Sequence, residues 1–194
     1  LTVTAFGQAP RGRVLRRSGA RPGDTVYVSG TIGDAALGLL ALTGRLGGLD
    51  KTVRDCLVAR YRLPEPRVAL GPELSGIASA AIDVSDGLVA DLRHVAETSG
   101  CRAVLEAARV PRSAAARALL DADPSLVEAG LAGGDDYELL FTAPPGAADA
   151  IRPLASRLGI DLTVIGRIEE GGGVRVLDAA GAEIRLRVQG WVHG

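Results

Sequence analysis

The sequence predicts a mixed α/β chain of the α+β type, one sheet covered by helices. Three observations carry this. Short apolar runs rich in Val, Ile and Leu recur along the chain and are separated by helical periods. Gly and Pro punctuate the joints between them. The chain has 194 residues, 47% hydrophobic and 23% charged, which suffices for one sizeable core or one domain plus an extension.

The elements follow in order. Leu1 to Phe6 alternates like a strand, and Gly7 to Gly12, with Pro10, is a turn-rich link. Arg11, Arg13, Arg16 and Arg17 then crowd together, as a solvated basic edge or as an anion clamp, since guanidinium groups grip phosphate with a planar fork. Asp24 to Ser29 is strand-like. Gly30 to Asp34 turns it into a helix over Ala35 to Leu42. Gly-Thr-Ile-Gly-Asp is similar to a small anion-binding turn but lacks the lysine and spacing of a P-loop.

Lys51 to Tyr61 reads as a helix stopped by Pro64 and Pro66. A second helix falls within Val68 to Ala78, interrupted by Gly-Pro. Ala78 to Ile82 is a short apolar strand. Gly87 to Ser99 is a helix whose Leu88, Leu92 and Val95 form one buried stripe, with Gly100 as its stop. Arg102 to Glu106 is a strand. Ser113 to Leu120 is a helix with Ser113 as N-cap, and Pro124 to Ala129 is a short helix. Tyr137 to Thr142 is strand-like and ends at Pro144-Pro145. Ala147 to Leu158 is helical. Leu162 to Ile168, Val174 to Leu177 and Glu183 to Val188 are strands joined by glycine turns.

Composition excludes some classes of function. Net charge is −1, and no basic block marks a nucleic-acid surface. No apolar run approaches the roughly 18 residues of a membrane span. Cys56 and Cys101 match no metal or redox spacing, which favours a reduced, cytoplasmic protein. The first residues do not form a signal peptide, and Met is absent from the chain. A fragment or processed product is expected, with chemistry lying upstream.

Two acidic clusters stand out. In Asp83-Val-Ser-Asp86-Gly, Ser85 suits an N-cap and Asp86 the first helical turn. Capping does not explain Asp83. Adjacent carboxylates repel unless a cation separates them, and Mg²⁺ accepts carboxylate and phosphate oxygens together. A phosphate could then meet Ser85 and the helix N–H groups. In Gly133-Gly-Asp-Asp-Tyr-Glu138, strand alternation places Asp136 with Glu138 on one face and Tyr137 with Leu139 on the other. This is a solvated turn, or a carboxylate site for a polar or cationic ligand. Asp136 alternatively bonds loop N–H groups. His94 reads as solvated, and His193 has no catalytic partner.

Taken together, these segments resemble the thiamine-monophosphate kinase family. The matching stretches are Phe6 to Asp24 with its Arg17-Ser-Gly-Ala, Val28-Ser-Gly-Thr-Ile-Gly-Asp, Ala81-Ile-Asp-Val-Ser-Asp-Gly-Leu and Gly133-Gly-Asp-Asp-Tyr-Glu-Leu. The wider superfamily includes aminoimidazole ribonucleotide synthetase and selenophosphate synthetase. The resemblance implies the C-terminal domain of the aminoimidazole ribonucleotide synthetase-like fold over 21–194. Residues 1–20 would be the last strand and linker of an N-terminal domain otherwise missing.

The activity so implied is transfer of the ATP γ-phosphate to thiamine monophosphate, assisted by Mg²⁺ and giving thiamine diphosphate. Asp83 and Asp86 correspond to Mg²⁺ ligands, and Arg17 and Ser85 to ATP contacts. Asp135 stands at a substrate position where the family usually has Glu, keeping the charge with a shorter reach. Trp191 corresponds to a substrate-contacting aromatic, where a ring could attract a thiazolium cation. No side-chain nucleophile is implied. A full-length member would be a cytoplasmic homodimer, and the isolated chain is expected to be nearly inactive. Another ATP-dependent enzyme of the superfamily and a non-catalytic ligand-binding or assembly domain remain as alternatives.

Overall fold

The computed structural model describes residues 2–4, 6–9, 11–187 and 190. Among these, six strands form one sheet: β1 (Thr25–Ser29), β2 (Ala80–Asp83), β3 (Arg102–Glu106), β4 (Leu139–Ala143), β5 (Leu162–Glu169) and β6 (Gly173–Leu177). Their spatial order is β2-β4-β1-β5-β3-β6. Neighbours are antiparallel except β3 and β6, which run parallel. The helices are α1 (Asp34–Leu42), α2 (Lys51–Arg62), α3 (Leu70–Leu74), α4 (Leu88–Ser99), α5 (Ala114–Ala122), α6 (Val127–Ala132) and α7 (Ala148–Leu158).

Strand alternation gives the sheet two apolar faces. Val26, Val28, Ile82, Leu140 and Leu105 point to one side, where α4 packs with Leu88, Leu92 and Val95. Each of these helix side chains is essentially fully buried and contributes about 1.5–3 kcal/mol by leaving water. Tyr27, Phe141 and Ala143 point to the other side, against α3 and α7. There the Tyr27 and Phe141 rings stack with centroids 5.1 Å apart. A third cluster joins α1, α2 and α5 through Leu37, Leu57 and Leu119. The α+β class with helices over the sheet is therefore the observed architecture.

Local signals place several ends correctly. Ser113 accepts the Ala116 N–H at 3.0 Å as the N-cap of α5, and Gly100 closes α4 in the left-handed region at φ 65°. Three expectations need correction. The described residues of 1–6 form no strand, and Val3 and Phe6 are 83% and 96% exposed. Alternation alone cannot make a strand without a neighbour to take its backbone hydrogen bonds. Glu183 makes only an isolated bridge to Leu177; Ile184 and Leu186 lean on the core instead of extending the ladder, and Val188 lies outside the described residues. Helix α3 falls within its expected span, but Gly71 and Pro72 lie in its first turn and do not interrupt it, since proline is tolerated where the N–H has no intrahelical partner.

Candidate functional site

Pairing between β2 and β4 brings the two acidic clusters together. Their register ends at Asp83 opposite Leu139, but the backbone ladder continues beyond it. Val84 N–H donates to Glu138 O at 2.8 Å, Tyr137 N–H to Val84 O at 2.8 Å, and Asp135 N–H to Ser85 O at 2.9 Å. Close approach requires glycine: a Cβ on Gly134 would overlap the Ser85 carbonyl oxygen, and one on Gly87 the Ala132 carbonyl oxygen. A segment far down the chain is thus laid against the metal-type motif by backbone bonds alone.

The approach to β4 is not an extended strand. Asp135 and Tyr137 have φ of 72° and 52°, a region that non-glycine residues rarely occupy. The expected sharing of faces therefore fails. Asp136 turns to the start of α1, where it accepts the N–H groups of Gly33 at 2.7 Å and Ala35 at 3.2 Å. Glu138 turns to Ser29, Arg60 and Arg67. Tyr137 is 40% exposed, while Leu139 packs against the α3–α7 side of the sheet.

The start of α4 also differs from expectation. Its N-cap is Gly87, with no side-chain cap, so Ser85 and Asp86 lie in the turn before the helix. The N–H groups of Ser85, Asp86 and Gly87 all donate to Asp91 Oδ2, at 3.0, 3.0 and 3.2 Å. The buried Asp91 carboxylate occupies the donors that an incoming phosphate was expected to use. Asp91 was given no role in the sequence, although it stands three residues after Leu88 on the buried stripe of α4. Its position one turn inside the helix, after an Asp-Gly start, was the available signal.

Desolvation raises the Asp91 pKa to about 6; the Asp86 and Ser85 N–H groups oppose this, and the charges of Asp86 and Asp83 add to it. Negative charge is thus concentrated at this turn. Among the described residues no group of three or more His, Cys, Asp or Glu side chains could hold a metal. The two hard oxygen donors of Asp83 and Asp86 still suit Mg²⁺, which commonly takes one or two carboxylates and completes its shell with waters and phosphate oxygens.

The turn opens onto a cavity of about 810 Å³, within the range of small-molecule sites. Ser85, Asp86, Asp135 and Tyr137 line one part of it; Leu39 of α1, Tyr61 of α2 and Ala129 of α6 also line it. The structure therefore unites three of the expected site residues, Ser85, Asp86 and Asp135. Asp83 lines a separate cavity of about 370 Å³ with Leu15, Leu74 and Leu139. Arg17 does not line the large cavity. Its side chain is exposed, its carbonyl accepts from Thr98 Oγ1 at 3.2 Å, and the neighbouring Arg16 carbonyl accepts the Ala81 N–H of β2. Trp191 and His193 lie outside the described residues, although Gly190 lines the large cavity.

The Gly30–Asp34 turn serves the fold. Its anion is the protein's own Asp136, and Asp34 accepts the hydroxyls of Thr31 and Ser113, both at 2.5 Å. Arg112 ties the turn to α6 by donating from Nη1 to Ile32 O and Gly130 O, both at 2.9 Å. Burial pushes the Asp136 pKa up to about 7; the Gly33 and Ala35 N–H groups counter it, and the nearby Asp34 charge adds to it. A carboxyl whose pKa is raised on folding binds its proton more tightly when folded. Stability from this source is thus complete below about pH 4 and is lost as pH rises towards 7. Urea unfolding across pH 4–8 is expected to show this decline, with a shallower slope in Asp136→Asn.

An α+β domain whose paired acidic loops meet at the rim of a cavity defines a recognised class. Residues 21–179 match the family described as AIR synthase related protein, C-terminal domain, and the chain belongs to that family. Its relatives include thiamine-monophosphate kinases. That of Caulobacter vibrioides is 43% identical over 197 residues, covering 100% of this chain and 54% of the relative. That of Salmonella typhimurium is 43% identical over 168 residues, covering 87% of this chain and 51% of the relative.

Among solved structures, the thiamine-monophosphate kinase of Stenotrophomonas maltophilia superposes with a TM-score of 0.81 at 46% identity, covering 88% of this chain and 55% of that one. A structure of AaThiL complexed with AMPPCP and TMP gives 0.77 at 34% identity, covering 94% and 55%. The chain spans about half the length of the curated relatives it matches. Among the described residues no helix is long and apolar enough to cross a membrane.

Proposed function

We propose that this chain forms the nucleotide- and substrate-facing half of a thiamine-monophosphate kinase. The enzyme would transfer the ATP γ-phosphate to thiamine monophosphate, giving thiamine diphosphate and ADP. The observation that carries this is the meeting of Ser85 and Asp86 with Asp135 at one cavity. The AaThiL structure, complexed with AMPPCP and TMP, supports it.

In this reading Asp83 and Asp86 hold Mg²⁺, which when bound neutralises charge on the transferring phosphoryl oxygens. The Ser85 hydroxyl donates to a nucleotide phosphate, and Arg17 and Trp191 are assigned to nucleotide and substrate respectively. Asp135 faces the cationic ring, and the apolar wall from α1, α2 and α6 excludes water. The acceptor phosphate is ionised near neutral pH and attacks the γ-phosphorus in line. The bond to ADP breaks as the new P–O bond forms, so no protein nucleophile is required.

Residues 1–20 are assigned to pairing and linkage with a preceding domain, consistent with exposed Val3 and Phe6. A full-length enzyme is expected to be a cytoplasmic homodimer. It would have no part in nucleic-acid or membrane binding. The test is calorimetry on the 194-residue chain with thiamine monophosphate and with ATP–Mg²⁺. Binding of both with little turnover is expected, since its relatives are about twice as long. Binding of neither overturns the reading, and efficient turnover overturns the expected dependence on further residues.

A further inference from the structure

We propose that Tyr137 is a substrate-contacting residue, forming with Asp135 a preformed aromatic–carboxylate clamp for a cationic heterocycle. This rests on the proposed function and extends it to a residue not yet given a role in binding.

The first observation is placement. Tyr137 and Asp135 both line the large cavity. Tyr137 is 40% exposed, whereas Asp136 and Glu138 on either side of it are 2% and 0% exposed. The Tyr137 hydroxyl lies 3.4 Å from Asp135 Oδ1, so the two side chains lie close together.

The second observation is backbone conformation. Both cavity-lining residues have positive φ, 72° at Asp135 and 52° at Tyr137. A bulky side chain is a genuine outlier in that region. Such conformations persist only where the surroundings over-determine them, and here the surroundings are on the page. Asp136 is held by two N–H groups of the α1 start. Glu138 is held by Ser29, Arg60 and Arg67, and the backbone between them is bonded to Val84 and Ser85. With alternate residues anchored inward, Asp135 and Tyr137 are left to face the cavity. Tyr137 belongs to none of the three apolar clusters, and no aromatic partner meets its ring among the described residues.

The third observation is charge. The described lining includes the carboxylates of Asp86, Glu128 and Asp135, and no Lys or Arg. An exposed aromatic face beside carboxylates suits a flat cation, drawn to the ring's negative face and to the neighbouring charge. Tyr61 of α2 adds a second ring to the same lining.

The test uses the whole chain, Tyr137→Gly and Tyr137→Phe, with thiamine monophosphate titrated calorimetrically and melting temperatures recorded alongside. Glycine removes the ring and relaxes the left-handed backbone. The expected result is an unchanged or higher melting temperature with roughly tenfold weaker binding, while phenylalanine stays within about twofold of wild type. Wild-type affinity in Tyr137→Gly overturns the assignment and leaves the proposed function standing. A melting temperature lower by several degrees makes Tyr137 a packing residue and also overturns it. Failure of the wild-type chain to bind thiamine monophosphate overturns the proposed function and this assignment together.

Discussion

Replacing Glu138 with alanine is expected to lower the unfolding free energy by about 3 kcal/mol, the lower end of the cost of breaking a buried ion pair. The side chain is fully buried. Arg67 grips it with both arms of its guanidinium, Nε to Oε2 at 2.7 Å and Nη2 to Oε1 at 2.6 Å. Arg60 adds a contact at 3.1 Å and the Ser29 hydroxyl one at 2.6 Å. Removing the carboxylate leaves two guanidinium groups without their shared anion.

The lower end applies because the Arg67 and Arg60 side chains keep 16% and 18% of their exposure and can recover some hydration. Urea unfolding at neutral pH would show a lower midpoint with an unchanged slope. A change below about 1 kcal/mol would mean the pairs act as ordinary exposed bridges. The effect should reach the cavity, since Arg60 stands beside Tyr61 on α2 and Tyr61 forms part of its lining.

Asp86→Asn is expected to abolish the gain in ATP affinity that Mg²⁺ provides, because the proposed site would lose one of its two carboxylate ligands. Asparagine keeps the size and the turn but not the charge. Calorimetry with ATP in excess Mg²⁺ and again in chelator would separate the two contributions. Wild type should differ strongly between them and the variant hardly at all. Asp83→Asn is expected to behave alike, although Asp83 lines the smaller cavity. A full Mg²⁺ effect in both variants would remove them as ligands. Folding is an independent readout: relieving charge near the buried Asp91 should leave stability unchanged or raised, because both aspartates push the Asp91 pKa upward.

Most of the fold was legible because its signals are local. The stripe of Leu88, Leu92 and Val95, the Ser113 cap and the Gly100 stop each act within a turn or two of chain. Strand β3 coincides with its expected span because an apolar run there is bounded by charged residues at both ends. The described residues of the leading segment form no strand within this chain, because pairing depends on a partner, which alternation cannot supply.

The site was legible in its residues and less so in its roles. Ser85, Asp86 and Asp135 do meet at one cavity. Yet Ser85 and Asp86 precede the helix, and the N–H groups of this turn go to Asp91. The buried stripe of α4 already includes the Asp91 position, but which groups its carboxylate would bond depends on the path of the preceding turn. Asp136 and Glu138 were grouped on one face by a rule that holds only for extended backbone, and the positive φ of Tyr137 between them breaks it.

The sequence by itself determined the class of fold, most element positions and the identity of the acidic motifs proposed to carry the chemistry, since periodicity, capping and side-chain identity are written locally. Only the tertiary structure decided which acids face the cavity and which hold the scaffold. That division depends on long-range neighbours: the register of β2 against β4, the start of α1 that takes Asp136, and the arginines that take Glu138. A carboxylate's role is set by whether its charge is already satisfied, and here the satisfying groups lie far away in the chain.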